Sequence, residues 1–328
     1  MINNSKKILL WGIKVILERY FNEPFREEID INFIKQIFRL LSKDDEFVTQ
    51  NYIIAEKERY ALCSVFTKTG FCREKLALSP EGELYFKPQY GLSKQILLPE
   101  NKSNFQRTPY FEDKNEELAS CNKDTSAEKM INLLFKYGAN VPVFNKLDCV
   151  MPLYEYVKIM AALATNPDGK YRLLLGDLSG IQNFIYTIDS RGALKVLRSR
   201  SFYLELLTKS IAHEICEVLK LSSANVLYSG GGNFLLLLPD IKELNLNESI
   251  KSYYQAVNMF FLEKFQGNIH LAMAEVKLNS GDFGNIKTKW TELHKNLAEE
   301  KKRKFKGILH NYSAPTEADL RECRICHA

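Results

Sequence analysis

Asn225-Val226-Leu227-Tyr228-Ser229-Gly230-Gly231-Gly232-Asn233-Phe234-Leu235-Leu236-Leu237-Leu238 reads as two short strands, 225–228 and 233–238, joined by a glycine turn. Consecutive glycines adopt the left-handed backbone that a tight reversal needs, and the apolar runs on either side mark strands with a buried face. Upstream, residues 171–175 form another short apolar strand, and apolar residues recur at helical spacing over 181–188 and 194–219. Downstream, a helix over about 248–265 precedes a strand over 269–276. The predicted order is therefore β-α-β-β-α-β, opened by the turn Asn166-Pro167-Asp168-Gly169 and followed by a charged helix over 287–304.

That order is the ferredoxin-like order of palm domains. Palm-type polymerases and cyclases hold two metal ions with carboxylates from the end of the first strand and from the hairpin between the second and third. Gly176-Asp177-Leu178-Ser179-Gly180-Ile181-Gln182 closes the first strand here, which puts Asp177 where such a ligand would sit. Ser179 and Gly180 make a turn whose backbone N–H groups can face a phosphate. Alternatively, Asp177 merely caps the helix that begins near Gly180. The hairpin Ser229-Gly230-Gly231-Gly232-Asn233 has no acidic residue, and two divalent cations need several oxygen ligands of net negative charge. Catalysis by this segment alone is therefore not expected. A glycine turn that lets a base or phosphate approach the backbone remains, beside the plainer reading of a hairpin without ligand.

The chain has 328 residues, 45% hydrophobic and 26% charged, enough for one or two cores. Its formal charge of +5 is too mild for a histone-like binder but permits local basic stripes. No stretch reaches the ~18 apolar residues of a membrane span, and residues 1–13 lack a cleavage signal, so a cytoplasmic protein without membrane contact is expected. Seven scattered cysteines then read as free thiols. Arg191, Lys195 and Arg198 share one helical face beside the Asp177 turn: a phosphate or RNA stripe, or an ordinary solvated face. The run Lys301-Lys302-Arg303-Lys304 reads as a solvated helix end, where cations complement the dipole.

Over residues 8–66 the pattern is helical, with Ile13, Ile16, Leu17 and Tyr20, then Phe33, Ile34, Ile37, Phe38 and Leu41, at spacings of three and four. From about 70 to 128 the sequence is rich in turns, and helical periodicity then returns at 127–137 and at 153–164. The expected architecture is α+β. A helical region spans 1–70, a loop-rich connector 71–146, a palm domain 147–285, and a helix with the start of a further element 286–328.

Taken in order, 176–182, Leu197-Arg198-Ser199-Arg200-Ser201-Phe202-Tyr203 and 228–234 resemble the first palm of the large subunit of type III CRISPR effector complexes, Csm type. The helix Met151-Pro152-Leu153-Tyr154-Glu155-Tyr156-Val157-Lys158-Ile159-Met160-Ala161-Ala162 is similar to that family's connector helix. In the family, an N-terminal HD-type nuclease cuts single-stranded DNA, and two palms joined by a zinc-binding domain make cyclic oligoadenylates from ATP. An HD site needs His and Asp side by side with further histidines, yet the first histidine is His213. The resemblance thus implies a degenerate HD-like region at 1–70 and no Gly-Gly-Asp-Asp turn in this chain, which is expected to be inactive alone.

The resemblance further implies a nucleotide site of Asp177, Ser179, Gly180, Gln182, Ser229, Gly230, Gly231, Gly232 and Asn233. It would take ATP, with Mg or Mn accompanying the nucleotide. Cys323 and Cys326 resemble half of the family's zinc site, complete only if other ligands are supplied from elsewhere. Implied partners are other CRISPR subunits, a polypeptide carrying a second palm, crRNA and target RNA. A purely structural module that docks those subunits and crRNA is the alternative.

Overall fold

The computed structural model describes residues 1–18, 25–41, 62–63, 84–86, 100–101, 116–139, 142–144, 150–186, 193–241, 246–306 and 308. Backbone contacts divide the chain into two compact units, Met1–Pro167 and Asp168–Ala328. The division falls after the boundary read from sequence at 147, because the helix that follows Pro152 packs with the first unit.

The first unit is built on α1 (Ile2–Ile16), α2 (Ile31–Leu41), a three-stranded sheet of β1 (Leu62–Cys63), β2 (Leu84–Phe86) and β3 (Glu100–Asn101), α3 (Glu116–Ala119), α4 (Ala127–Gly138), a hairpin of β4 (Pro142–Phe144) and β5 (Val150–Pro152), and α5 (Leu153–Leu163). Leu62 and Cys63 are extended and pair with β2, so the helical reading of the first 66 residues does not hold there. Helices α1, α4 and α5 pack on one another. Ile8, Leu9, Ile13 and Ile16 give α1 a stripe with no solvent exposure. At Gly12 a Cβ would lie 2.8 Å from the Val157 methyls and 3.0 Å from Leu134, so the absence of a side chain sets how closely the three helices meet. Ser5 Oγ donates to the Ala161 carbonyl at 2.7 Å, satisfying a buried hydroxyl within this contact. Helix α4 starts where the Ser126 hydroxyl accepts from Lys129 N–H.

The second unit contains β6 (Lys170–Ser179), α6 (Ile181–Tyr186), α7 (Ala193–Val218), β7 (Val226–Gly230), β8 (Asn233–Pro239), α8 (Leu246–Phe265), β9 (His270–Asn279) and α9 (Ile286–Lys301). The sheet order is β7-β8-β6-β9 and every pairing is antiparallel. β6 is longer than its apolar core 171–175 suggested, because it pairs on both sides, from Lys170 opposite Asn279 to Ser179 opposite His270. Successive side chains alternate between its faces. Leu174 and Leu178 join Phe234, Leu236, Leu271 and Met273 in the core against α7 and α8. The alternate residues Leu173, Leu175 and Asp177 belong to the other face, and α9 packs along β9 and β6.

Three polar side chains fix this sheet. Arg172 bridges Asp240 at 2.7 Å and Glu275 at 2.9 Å, joining β6 to the residue after β8 and to β9. Asn225 Nδ2 donates to the Leu237 carbonyl at 2.7 Å. Asn258 of α8 accepts from Leu271 N–H at 2.9 Å and donates to the Leu271 carbonyl at 3.0 Å, on the side of β9 away from β6. Among the described residues no helix is long and apolar enough to cross a membrane.

Gly176 and Phe234 face each other across β6 and β8, and a Cβ at Gly176 would lie 2.0 Å from the Phe234 ring. Gly176→Ala should therefore destabilise the chain by about 1–3 kcal/mol through overpacking. In denaturant titration, Phe234→Leu in the same chain should recover part of that loss, whereas simple additivity would show that the ring is not the obstacle.

Candidate functional site

The end of β6 and the β7–β8 hairpin form one cluster because their registers bring Asp177 opposite Asn233, and Gly230 opposite Asn233 at the turn. Leu178 N–H donates to the Gly232 carbonyl at 2.8 Å, closing the hairpin tip onto β6. Gly232 has φ +84°, and a Cβ there would lie 2.1 Å from Ile181 Cδ1. Gly180 has φ +93°, and a Cβ would lie 1.8 Å from the Asn268 carbonyl oxygen. Both glycines thus serve a required backbone hand and a close approach. Gly231 has φ +62° with nothing within 4 Å of its Cβ direction, so it presents bare backbone to open space. Its N–H donates to Glu205 Oε2 at 3.2 Å. The Glu205 carboxyl lies below its ordinary range, chiefly through the hydrogen bond from Lys209 and then that from Gly231.

Of the residues expected to line a nucleotide site, Asp177, Ser179, Gly180, Gly230, Gly231, Gly232 and Asn233 lie together here. Asn233 Nδ2 donates to the Gly231 carbonyl at 3.4 Å, Tyr228 OH donates to the Gly230 carbonyl at 3.2 Å, and the Ser229 hydroxyl is buried. Gln182 is exposed on the short helix α6. Lys195 and Arg198 are exposed on α7, while Arg191 lies outside the described residues, as do Cys323 and Cys326.

Asp177 does not cap α6. Its carboxylate is in β6 and buried, with Oδ2 2.9 Å from Lys301 Nζ and accepting from Ser179 Oγ at 2.8 Å. Lys301, at the end of α9, is thus drawn onto the sheet instead of standing in a wholly solvated helix end. Its pairing escaped the sequence because the partner is distant in the chain and Lys301 sits in a run of like charges. Among the described residues no group of three or more His, Cys, Asp or Glu could hold a metal ion. A single carboxylate already neutralised by an ammonium is a poor fit to divalent cations, which take several oxygen donors of net negative charge.

His270, opposite Ser179, is a further residue that sequence reasoning left out. It is buried and stacks near the Phe305 ring at 5.8 Å. Burial first, then the charge of Lys304, lowers its pKa from the ordinary 6.5, with Lys301 adding to this while Asp177 and the Lys301 backbone oppose it.

Residues 170–317 match the family described as Csm1 subunit domain B. A CRISPR system single-strand-specific deoxyribonuclease Cas10/Csm1 (subtype III-A) of Mycobacterium tuberculosis is 36% identical over 173 residues, 46% of this chain and 21% of that protein. Its counterpart in Methanocaldococcus jannaschii is 32% identical over 194 residues, 52% of this chain and 23% of that protein. The alignments therefore span less than a quarter of these relatives' length. Among solved structures, a Csm1-Csm4 cassette in complex with pppApApA superposes with a TM-score of 0.66 at 19% identity, covering 94% of this chain and 50% of that one. The Csm1-Csm4 subcomplex of the type III-A CRISPR-Csm interference complex gives 0.65 at 20% identity, with the same coverage. At these identities the structural likeness is one of fold.

Neutral His270 is the form that the folded unit favours, so its contribution to stability is present above about pH 6.5 and is lost as the pH falls through its lowered folded value. Thermal melts between about pH 7.5 and pH 5.5 should show stability falling with acidification, and His270→Gln should flatten that dependence. An unchanged slope in the variant would remove His270 from the account.

Proposed function

We propose that the chain, whose residues 170–317 match the Csm1 subunit domain B family, is the N-terminal half of a type III-A CRISPR large subunit, holding an adenine nucleotide and scaffolding its partners. In this reading the second unit is a ferredoxin-like first palm and the first unit carries a degenerate HD-like region. The strand order β7-β8-β6-β9 with helices α7 and α8 on one face supports the palm reading. The observation that carries the nucleotide reading is the hairpin tip. Gly231 offers bare backbone, Gly232 folds onto the end of β6, and Asp177 lies opposite Asn233 with Ser179 bonded to its carboxylate.

Relatives are named as single-strand-specific deoxyribonucleases, and related Csm1-Csm4 cassettes have been solved with one ATP and with cA4. Transferred to this chain, those names suggest ATP as ligand and Csm4-like and other CRISPR subunits as partners; crRNA and target RNA as partners rest on the resemblance of the sequence motifs alone. Antiviral defence in the cytoplasm is the setting. Mg or Mn for chemistry would be supplied by a second palm, and zinc at Cys323 and Cys326 would need further ligands. DNA cleavage and cyclic oligoadenylate synthesis would belong to other parts of the assembly, since the first histidine here is His213 and the hairpin has no carboxylate.

The docking-module reading has its own support. Leu194 and Phe202 are each 65% exposed and Leu206 is 47% exposed, in line with Arg198 on one face of α7. Such a stripe suits a partner surface.

Isothermal titration of the full chain with ATP distinguishes the two. Binding is expected, with loss of at least tenfold in Gly231→Phe, while circular dichroism shows the fold retained despite the modest strain of a side chain at φ +62°. Absence of heat at millimolar ATP supports the docking module. Formation of cyclic oligoadenylate that Asp177→Asn abolishes would overturn the non-catalytic reading.

A further inference from the structure

The position at which a palm would carry a metal-binding carboxylate is already charge-balanced from within the chain. Lys301 Nζ stands 2.9 Å from Asp177 Oδ2, and Ser179 Oγ donates to the same oxygen at 2.8 Å. The two partners differ in access: the Asp177 side chain is 12% exposed and that of Lys301 is 41% exposed. The carboxylate is therefore shielded while the ammonium reaches solvent. An ammonium has three donors, and Asp177 takes one of them, leaving two for an incoming anion.

The fold holds Lys301 in place. Leu293 and Leu297 bury one side of α9, and Asn296 Nδ2 reaches the Glu275 carbonyl of β9 at 3.5 Å. Phe305, 5% exposed, then anchors the chain after the helix against His270. Lys301 is thus delivered to the end of β6 by packing on both sides of it along the chain. Lys304, whose charge acts on His270, adds a second positive group near the same end. A divalent ion brought to Asp177 would have to displace Lys301 or meet its repulsion.

We propose that Lys301 supplies the positive charge for phosphate at this site, so that this half holds a nucleoside triphosphate without a divalent cation. The proposal rests on the nucleotide reading above and adds to it the residue that takes the place of the metal. Asp177 acts through Lys301 as a positioning residue, holding the ammonium at the strand end, and Ser179 orients the carboxylate.

The test is ATP titration of the full chain in excess EDTA and again in excess Mg²⁺. The parent should bind equally in both, within about twofold in Kd. Lys301→Met should lose at least tenfold in EDTA, whereas Lys301→Arg, which keeps the charge, should retain most of the affinity. Because Lys301→Met frees Asp177, Mg²⁺ should restore part of its binding, and Asp177→Asn added to Lys301→Met should remove that restoration. Parent binding that appears only with Mg²⁺, or Lys301→Met binding unchanged in EDTA, overturns this proposal and leaves the nucleotide reading standing. No binding by the parent in either condition overturns both. Melting curves of each variant exclude unfolding as the cause of a loss, and a Lys301→Met chain that unfolds leaves the parent's EDTA comparison to decide.

Discussion

β6 is covered on both faces and paired on both sides, and the second unit is organised by that constraint. Leu173, Leu174 and Leu175 are all nearly inaccessible, so the strand can persist only if each backbone group finds a partner in β8 or β9. The two registers then leave no freedom in where its last residues fall. Asp177 comes opposite Asn233 and Ala272, and Ser179 opposite His270, without any contact between the polar side chains having to select that alignment. A shift by one residue would turn Asp177 into the core that Leu174 and Leu178 share with Phe234, where its charge would have no balancing group.

The consequence for chemistry is a site whose charge is set by tertiary packing. Lys301 lies far from Asp177 in sequence, yet α9 is seated by Leu293 and Leu297, and the chain beyond it by Phe305. The ion pair is only partly shielded, so its contribution to stability is modest, on the order of that of a surface pair. Its importance lies in what it does to the sign of the local field: an isolated aspartate would attract metal ions and repel phosphate, and the pair does neither strongly.

Much of this unit was legible in the sequence because its signals are local. Three successive glycines between apolar runs specify a hairpin, and the helical periods on either side specify which strands it joins. The limits of β6 were not legible, since Gly176 and Asp177 are poor strand residues and become extended only through pairing with neighbours on both sides. The roles of Lys301, Asn258 and Glu205 were hidden for the same reason: each bonds a group brought near only by the fold. In the first unit, the value of Gly12 appears only when Val157 and Leu134 are placed against it. Leu62 and Cys63 were misread as helical because two residues carry no period of their own.

Asn258 closes the account of the sheet from its far side. A carboxamide has the same donor and acceptor as a peptide unit, and by bonding both Leu271 N–H and C=O it occupies the place of one residue of a fifth strand. An outermost strand of this kind is otherwise a template for joining another chain, and a side chain that fills the template at one point interrupts the ladder there. At its β9 edge the sheet of this unit is thus closed by its own helix α8, which at that edge disfavours extension of the sheet from molecule to molecule.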